Sequence, residues 1–287
     1  MNSNANILLM GGPATGKSNY IFRLWLAMDD GRGRLKKDSL PDQLDYLNGG
    51  AQMLLGGQFA PRTPRDTFNR VEIPFQLAEI GRKGKLIVPD ISGEDCDRHY
   101  TERQWSSEWE DRIPRCEGCL VFLRESVLHT PLSWIDVSQL LGVVDEQKAE
   151  PDKLAPTQVL LVEWLQFIRQ ALDDTRGYSF IPRIAIIVAA WDELGEEIAE
   201  EGPDVFLEQF TPLLHHFIEM NRGRFEVMVF GTSVVGGDLA EDSEFRERYL
   251  KSNPHESGYV VYTSEGALKQ SDDITIPVAW ILGSAID

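Results

Sequence analysis

The sequence predicts an α/β fold, a mixed and mostly parallel six-stranded sheet with helices on both faces. Three observations predict it. Short β-rich runs alternate with longer helical stretches along most of the 287 residues. Runs such as "NILLM" and "RIAIIVA" are apolar almost throughout, the pattern of strands covered on both faces. Two neighbouring runs are too close for a crossover helix, so they pair as a hairpin and make one strand antiparallel.

The elements follow in order. Strand 6–10, "NILLM", leads through a turn into helix 17–28. A long segment, 29–66, interrupts the alternation. Strands 68–76, "FNRVEIPFQ", and 85–89, "KLIVP", flank "IGRKGK" and form the hairpin. Helix 98–112 and strand 119–124, "CLVFLR", come next. A second long segment, 125–155, carries "HTPLSW" and "EQKAEPDKLAPT". Helix 156–173, strand 183–189, helix 205–221 and strand 225–231, "FEVMVFG", restore the alternation. An irregular stretch, 234–272, precedes a last helix, 275–283. With no repeat and no low-complexity linker, residues 1–287 read as one domain with insertions at about 29–66, 125–155 and 234–272.

Bulk chemistry excludes several classes. Forty-six acidic against 28 basic side chains give a formal net charge of −18. Such a surface repels phosphate backbones and anionic lipids, so neither nucleic acid nor a membrane is the expected partner. The acidic run 192–204, "DELGEEIAEEGPD", reads as a solvated face. Three cysteines, Cys96, Cys116 and Cys119, make no disulfide framework, and the lone C-x-x-C lacks a second pair at zinc spacing. "MNSNANILLM" has neither the basic region nor the apolar length of a signal peptide, and no apolar run reaches the ~20 residues that span a bilayer. A cytoplasmic protein is expected.

The turn after the first strand reads "GGPATGKS", residues 11–18. It fits G-x-x-x-x-G-K-[ST], with Gly11, Gly16, Lys17 and Ser18 at the fixed positions. The context is the required one, an apolar strand before and the helix "SNYIFRLWLAM" after. Glycines let the loop wrap so that backbone N–H groups point at a β-phosphate. The helix N-terminus adds positive potential. Lys17 supplies charge to the β and γ oxygens, and the Ser18 hydroxyl can ligate Mg²⁺. The expected nucleotide-binding residues here are Gly12, Ala14, Thr15, Gly16, Lys17, Ser18 and Asn19. The fold is then the three-layer sandwich of P-loop nucleoside triphosphatases.

A second motif closes the third predicted strand, "KLIVPDISGED" at 85–95. Asp90 at a strand's carboxyl end can hold Mg²⁺ through water, and Gly93 lets a backbone N–H approach a γ-phosphate. The next residue is Glu94. A carboxylate there repels the γ-phosphate unless it works as a base or a partner offsets it, so hydrolysis is expected to be slow or partner-dependent; a solvated Glu94 on a switch is the other reading. Thr63 and Thr67 in "FAPRTPRDTF" are the two candidates for a Mg²⁺-contacting switch threonine. Arg62 and Arg65 are candidate arginines in cis, or solvated loop charges.

P-loop at 11–18, D-x-x-G at 90–93, Trp191–Asp192 after a strand in "IIVAAWDEL", and "GTS" at 231–233 after the next strand stand in GTPase order. The chain resembles a translation-factor-class (Ras-like) P-loop GTPase, and more narrowly the bacterial double-GTPase group, over nearly its whole length. The resemblance implies Mg²⁺-dependent GTP and GDP binding by a nucleotide-controlled switch that works with protein partners in bacterial multi-protein systems, some linked to defence. It implies that Asp192 accepts hydrogen bonds from guanine N1–H and N2–H₂. A GTPase usually has lysine two residues earlier, with its stem over the base; here Ala190 stands there, which weakens affinity without erasing the preference for guanine. Trp191 either flanks the base or packs into the sheet. Thr232 and Ser233 either bring a backbone N–H to guanine O6 or form an ordinary turn.

Other constellations are poor. The five histidines, His99, His129, His215, His216 and His255, have no metal spacing, and no G-x-S-x-G elbow occurs. Trp105 and Trp109 read as core, or, if exposed, as a partner surface. Three functions stay open: a GTP-hydrolysing switch, in which Lys17, Gly93, Glu94 and a threonine, Thr63 or Thr67, serve the chemistry; a nucleotide-bound interaction subunit that does not hydrolyse; and a P-loop ATPase with another base choice.

Overall fold

The computed structural model describes residues 5–31, 33–61, 71–88, 109, 112–130 and 156–286. Its strands are β1 (Ala5–Gly11), β2 (Leu35–Lys37), β3 (Val71–Leu77), β4 (Lys83–Val88), β5 (Cys116–Leu123), β6 (Arg183–Ala189), β7 (Glu226–Ser233), β8 (Tyr259–Ser264) and β9 (Ala267–Ser271). They form one sheet in the order β2-β3-β4-β1-β5-β6-β7-β8-β9. The five central strands, β4, β1, β5, β6 and β7, are parallel, and the pairs outside them on either side are antiparallel.

Six strands were expected and nine are present among the described residues. The added three come from the stretches read as irregular. β2 lies in the first insertion and pairs Leu35 with Leu77, while β8 and β9 form a hairpin inside 234–272 that extends the sheet beyond β7. Sequences such as "LKK" and "ALKQS" carry little apolar alternation because they line the margins of the sheet. The hairpin expected between the second and third predicted strands is β3–β4, with Val71 opposite Val88 and Gln76 opposite Lys83.

The helices are α1 (Lys17–Asp29), α2 (Leu44–Leu55), α3 (Thr157–Arg176), α4 (Glu196–Glu201), α5 (Pro203–Phe210), α6 (Pro212–Met220), α7 (Ser243–Lys251) and α8 (Ile276–Ile281). The helix expected over 205–221 is broken at Thr211, because Pro212 has no N–H to continue the ladder and starts a new helix instead. β1 shows the three layers in one strand. Ile7 and Leu9 face a core shared with Trp25 of α1, Leu47 of α2 and Val278 of α8. Leu8 and Met10 face the opposite core, with Trp164 and Ile168 of α3, Phe206 of α5 and Leu214 of α6. Both faces are covered, so the central strands are apolar in every position that matters.

Cys116 and Cys119 are buried free thiols on β5. The register slips between Asn6 and Ile7, which puts both in the same core, and the Cys116 thiol together with burial holds the Cys119 thiol well above its ordinary range. Trp109 is core, whereas its expected companion Trp105 lies outside the described residues, as do Cys96 and most of the helix expected at 98–112. No helix among the described residues is long and apolar enough to cross a membrane.

Candidate nucleotide site

Parallel strands bring their carboxyl ends to one edge of the sheet. β1 lies between β4 and β5, so the chain changes direction across it, and the crevice outside such a switch point is where open α/β sheets bind ligands. Gly11, Val88, Leu123, Ala189 and Ser233 are the last residues of the five parallel strands and share this edge.

The loop from Gly11 to Gly16 leaves β1 and turns into α1. Its shape depends on small residues. Gly11 has φ 151°, and a Cβ there would lie 2.8 Å from Phe122 Cβ on β5. Gly16 has φ 90° and caps α1 in the left-handed conformation; its Cβ would lie 3.1 Å from Ala189 Cβ. Ala14 also takes a left-handed φ of 59°. Thr15 is buried and spends its hydroxyl on Gly12 O at 2.8 Å, which braces the loop from within.

Lys17 reaches back over the loop. Its Nζ donates to Gly11 O at 2.6 Å and Gly12 O at 2.5 Å, with Thr15 Oγ1 3.5 Å away. The ammonium is therefore set at the loop's mouth by the loop itself. The N-terminus of α1 has no side-chain cap and no acidic residue in its first turn. Its orphan N–H groups and the partial positive charge of the helix end suit an anion. Ser18 sits in that first turn. Asn19, expected among the nucleotide contacts, accepts a hydrogen bond from Ala60 N at 3.0 Å, which ties the start of α1 to the strand of chain leading toward the candidate switch threonines.

The other half of the site follows β6. Ala190 takes φ 56° and ψ 46°, a left-handed turn that opens the short helix Trp191–Glu193. Trp191 is 3% exposed, stacks edge-on with Phe206 at 6.4 Å and lies over Gly231, where a Cβ would come 2.3 Å from its ring. Of the two readings of Trp191, the structure shows the one in which it packs onto the sheet, because Gly231 leaves room for the indole. Asp192, the next residue, is half-buried. Desolvation pushes its carboxyl above the usual range, and the Ser233 hydroxyl is the largest opposing influence.

Ser233 is wholly buried at the end of β7, and its Oγ accepts from Gly236 N at 2.8 Å, closing the turn after the strand. Thr232 faces the opposite side, buried with no hydrogen-bond partner for Oγ1. Two neighbours were not legible in sequence. Tyr259 pairs with Ser233 across β7–β8, and burial with the nearby Asp192 charge pushes its phenol up to about 12, so its hydroxyl keeps its proton. Arg124, just past β5, holds Glu193 through Nη2 at 2.6 and 2.8 Å and lends positive potential to Asp192. Among the described residues, no group of three or more His, Cys, Asp or Glu is arranged to hold a metal. Asp90, Gly93, Glu94, Thr63, Thr67, Arg62 and Arg65 lie outside the described residues.

Comparison with known proteins follows this geometry. A family model described as Double-GTPase 1 matches residues 8–281. No curated protein matches the chain. Among solved structures, a signal recognition particle receptor SRb-GTP/SRX complex from Chaetomium thermophilum aligns at 12% identity, covering 86% of this chain and 98% of that one, with a TM-score of 0.40. A bacterial selenocysteine-specific elongation factor, EF-Sec, aligns at 11% identity, covering 87% of this chain and 29% of that one, with a TM-score of 0.35.

Proposed function

We propose that this chain, which belongs to the Double-GTPase 1 family, is a Mg²⁺-dependent guanine-nucleotide switch with slow or partner-stimulated GTP hydrolysis. One observation carries the reading. A P-loop whose lysine is preset on its own carbonyls shares a sheet edge with a half-buried carboxylate, Asp192, whose ionised form a buried serine, Ser233, favours. Phosphate and base ends of one nucleotide have matching chemistry at the two ends of that edge.

At the phosphate end, Lys17 and the backbone N–H groups of Gly12 and residues 14–19 bind the β and γ oxygens. An uncapped helix start beside a serine and a lysine is a donor set that fits a Mg²⁺-bound polyphosphate; Ser18 and Asp90 would hold the ion, which supplies charge neutralisation as the γ-phosphoryl group leaves. At the base end, Asp192 accepts from N1–H and N2–H₂, and the turn after Ser233 offers N–H to O6. Adenine reverses that donor and acceptor pattern and leaves Asp192 unpaired. Hydrolysis is in-line attack by water on the γ-phosphorus, driven by positioning and charge, with the leaving diphosphate held by Lys17. Glu94 in place of a water-orienting glutamine favours slow turnover.

Ala190 also supports a second reading, a nucleotide-bound interaction subunit that does not hydrolyse, because the missing lysine loosens the brace between base and P-loop. The acidic surface favours a basic protein partner over nucleic acid, and the family resemblance favours a multi-protein bacterial setting, some members of the group being linked to defence. Titration of GDP, GTP, ADP and ATP with Mg²⁺ into nucleotide-stripped protein tests the site. Guanine preference lost in Asp192→Ala supports the switch, whereas equal binding of adenine and guanine nucleotides removes it. Phosphate release with and without a partner, with Lys17→Ala as control, separates the two readings: tight GTP binding with no release in either condition leaves only the interaction subunit.

A further inference from the structure

α1 carries a cation that none of this chemistry uses. Arg23 sits in the apolar run "YIFRLWLAM" and is 1% exposed. Its guanidinium donates to three neutral acceptors: Nε to Val234 O at 2.6 Å, Nη1 to Pro254 O at 2.7 Å and Nη2 to Tyr249 Oη at 3.0 Å. The Tyr249 hydroxyl in turn donates to Leu54 O, at the end of α2, at 2.9 Å. One side chain thus gathers α1, α2, the turn after β7 and the chain after α7.

Burial lowers the Arg23 pKa, but a guanidinium stays charged in a protein. A buried charge is a poor device for stability alone, since apolar side chains of similar volume often do as well. A planar fork of donors does something an apolar residue cannot: it fixes the directions of the carbonyls it holds. Val234 is the residue after Ser233. Its carbonyl is also pressed against Gly258, where a Cβ would lie 2.8 Å from Val234 O and 3.1 Å from Ser233 O. In a trans peptide the N–H points opposite to the C=O, so an anchored Val234 carbonyl also fixes the direction of the Val235 N–H in the same peptide plane. The turn is then held twice, by Ser233 Oγ on Gly236 N and by Arg23 on Val234 O.

We propose that Arg23 is a positioning residue for base recognition: through the Val234 carbonyl it holds the turn after β7 in the shape that reads the O6 edge of guanine. The inference rests on the guanine-nucleotide reading above. Arg23 touches neither phosphate nor base in this role.

The test titrates GDP, ADP, the diphosphate of 2-aminopurine riboside (which lacks both O6 and N1–H, so its deficit against GDP is the O6 contact plus the N1–H contact to Asp192) and inorganic triphosphate into wild type, Arg23→Gln and Tyr249→Phe, with melting temperatures for each. In Arg23→Gln the preference for GDP over the 2-aminopurine analogue falls by about tenfold, one hydrogen bond's worth, while triphosphate affinity holds. Tyr249→Phe keeps the Nε–Val234 bond, so it melts earlier but retains the preference. If Arg23→Gln does not fold, Arg23→Lys replaces it; one ammonium cannot hold Val234 O and Pro254 O in the same directions, so the same loss is expected. Unchanged preference in the Arg23 variant, or a fall in both variants in step with melting temperature, overturns the proposal. A wild type that binds GDP no better than ADP overturns the guanine reading first and this inference with it.

Discussion

The Ser233 hydroxyl, at the end of β7, favours the ionised form of the Asp192 carboxylate in the turn after β6. The serine is wholly buried, so this influence stays out of competition with bulk water. Desolvation still leaves the carboxyl raised in pKa, a charge waiting for donors.

Two consequences follow for Asp192. Its folded pKa lies above its unfolded one, so the folded state holds the extra proton and its stability falls as pH rises through that window. Asp192→Asn removes this cost and is expected to leave nucleotide-free protein at least as heat-stable as wild type at neutral pH. Guanine needs the ionised form, so GDP affinity in wild type falls as pH drops from neutral toward the raised carboxyl pKa, and Asp192→Asn shows no such slope. Ser233→Ala, which removes that influence on the carboxylate, is expected to cost about tenfold in GDP affinity. Calorimetric titration over pH checks the affinities, and the melting temperature of the nucleotide-free variant checks the stability.

Lys17→Ala is expected to weaken GDP and GTP binding by roughly 100-fold or more, the loss of two charge-assisted hydrogen bonds. Lys17 Nζ is held by loop carbonyls and belongs to neither core, so the melting temperature of the nucleotide-free variant is expected to stay near that of wild type.

Position 190 is a left-handed turn occupied by alanine. Ala190→Gly relieves the backbone and is expected to raise stability by about 0.5–1 kcal/mol, read as a higher melting temperature. Ala190→Lys introduces no new backbone strain, since alanine already carries a Cβ. Its methylenes over the base are expected to tighten GDP binding by roughly tenfold. Unchanged affinity in that variant would mean the lysine stem does not reach the base here.

Away from the site, Asp173 is a 4%-exposed carboxylate between Arg169, whose Nη2 lies 2.6 Å from its Oδ1, and Arg224. The Arg169 contact is an ion pair whose angles fall outside hydrogen-bond geometry. Arg169 is itself buried. Asp173→Ala strands that guanidinium and is expected to destabilise by about 3–5 kcal/mol. Nucleotide affinity in the surviving folded fraction should not change, which a titration well below the melting temperature checks.

The local half of this site was legible because its physics is local. Strand, glycine turn, lysine and helix 11–18 follow one another in the chain, and each residue type answers to a backbone angle or a charge within a few positions. The hairpin of β3 and β4 was legible for the same reason, as a connection too short for a helix. The burial of Trp191 was not, because it depends on Gly231 one strand away. Nor was the role of Tyr259, whose partner Ser233 is reached only once β8 pairs with β7. β2, β8 and β9 carry weak apolar patterns, and they are strands because an existing edge offers them hydrogen bonds.

By itself, the sequence determined a phosphate loop between a buried strand and a helix, an aspartate at the end of a later strand, and a sheet covered on both faces. Short-range sterics and hydrophobic periodicity suffice for these. Only the tertiary structure decided that the described residues form a nine-stranded sheet, that Ser233 bears on the Asp192 carboxylate, and that Arg23, in a run that reads as one face of a helix, is sealed in by residues 234–254. Those outcomes depend on which distant segments exclude water from a given side chain, and that is a property of the assembled chain.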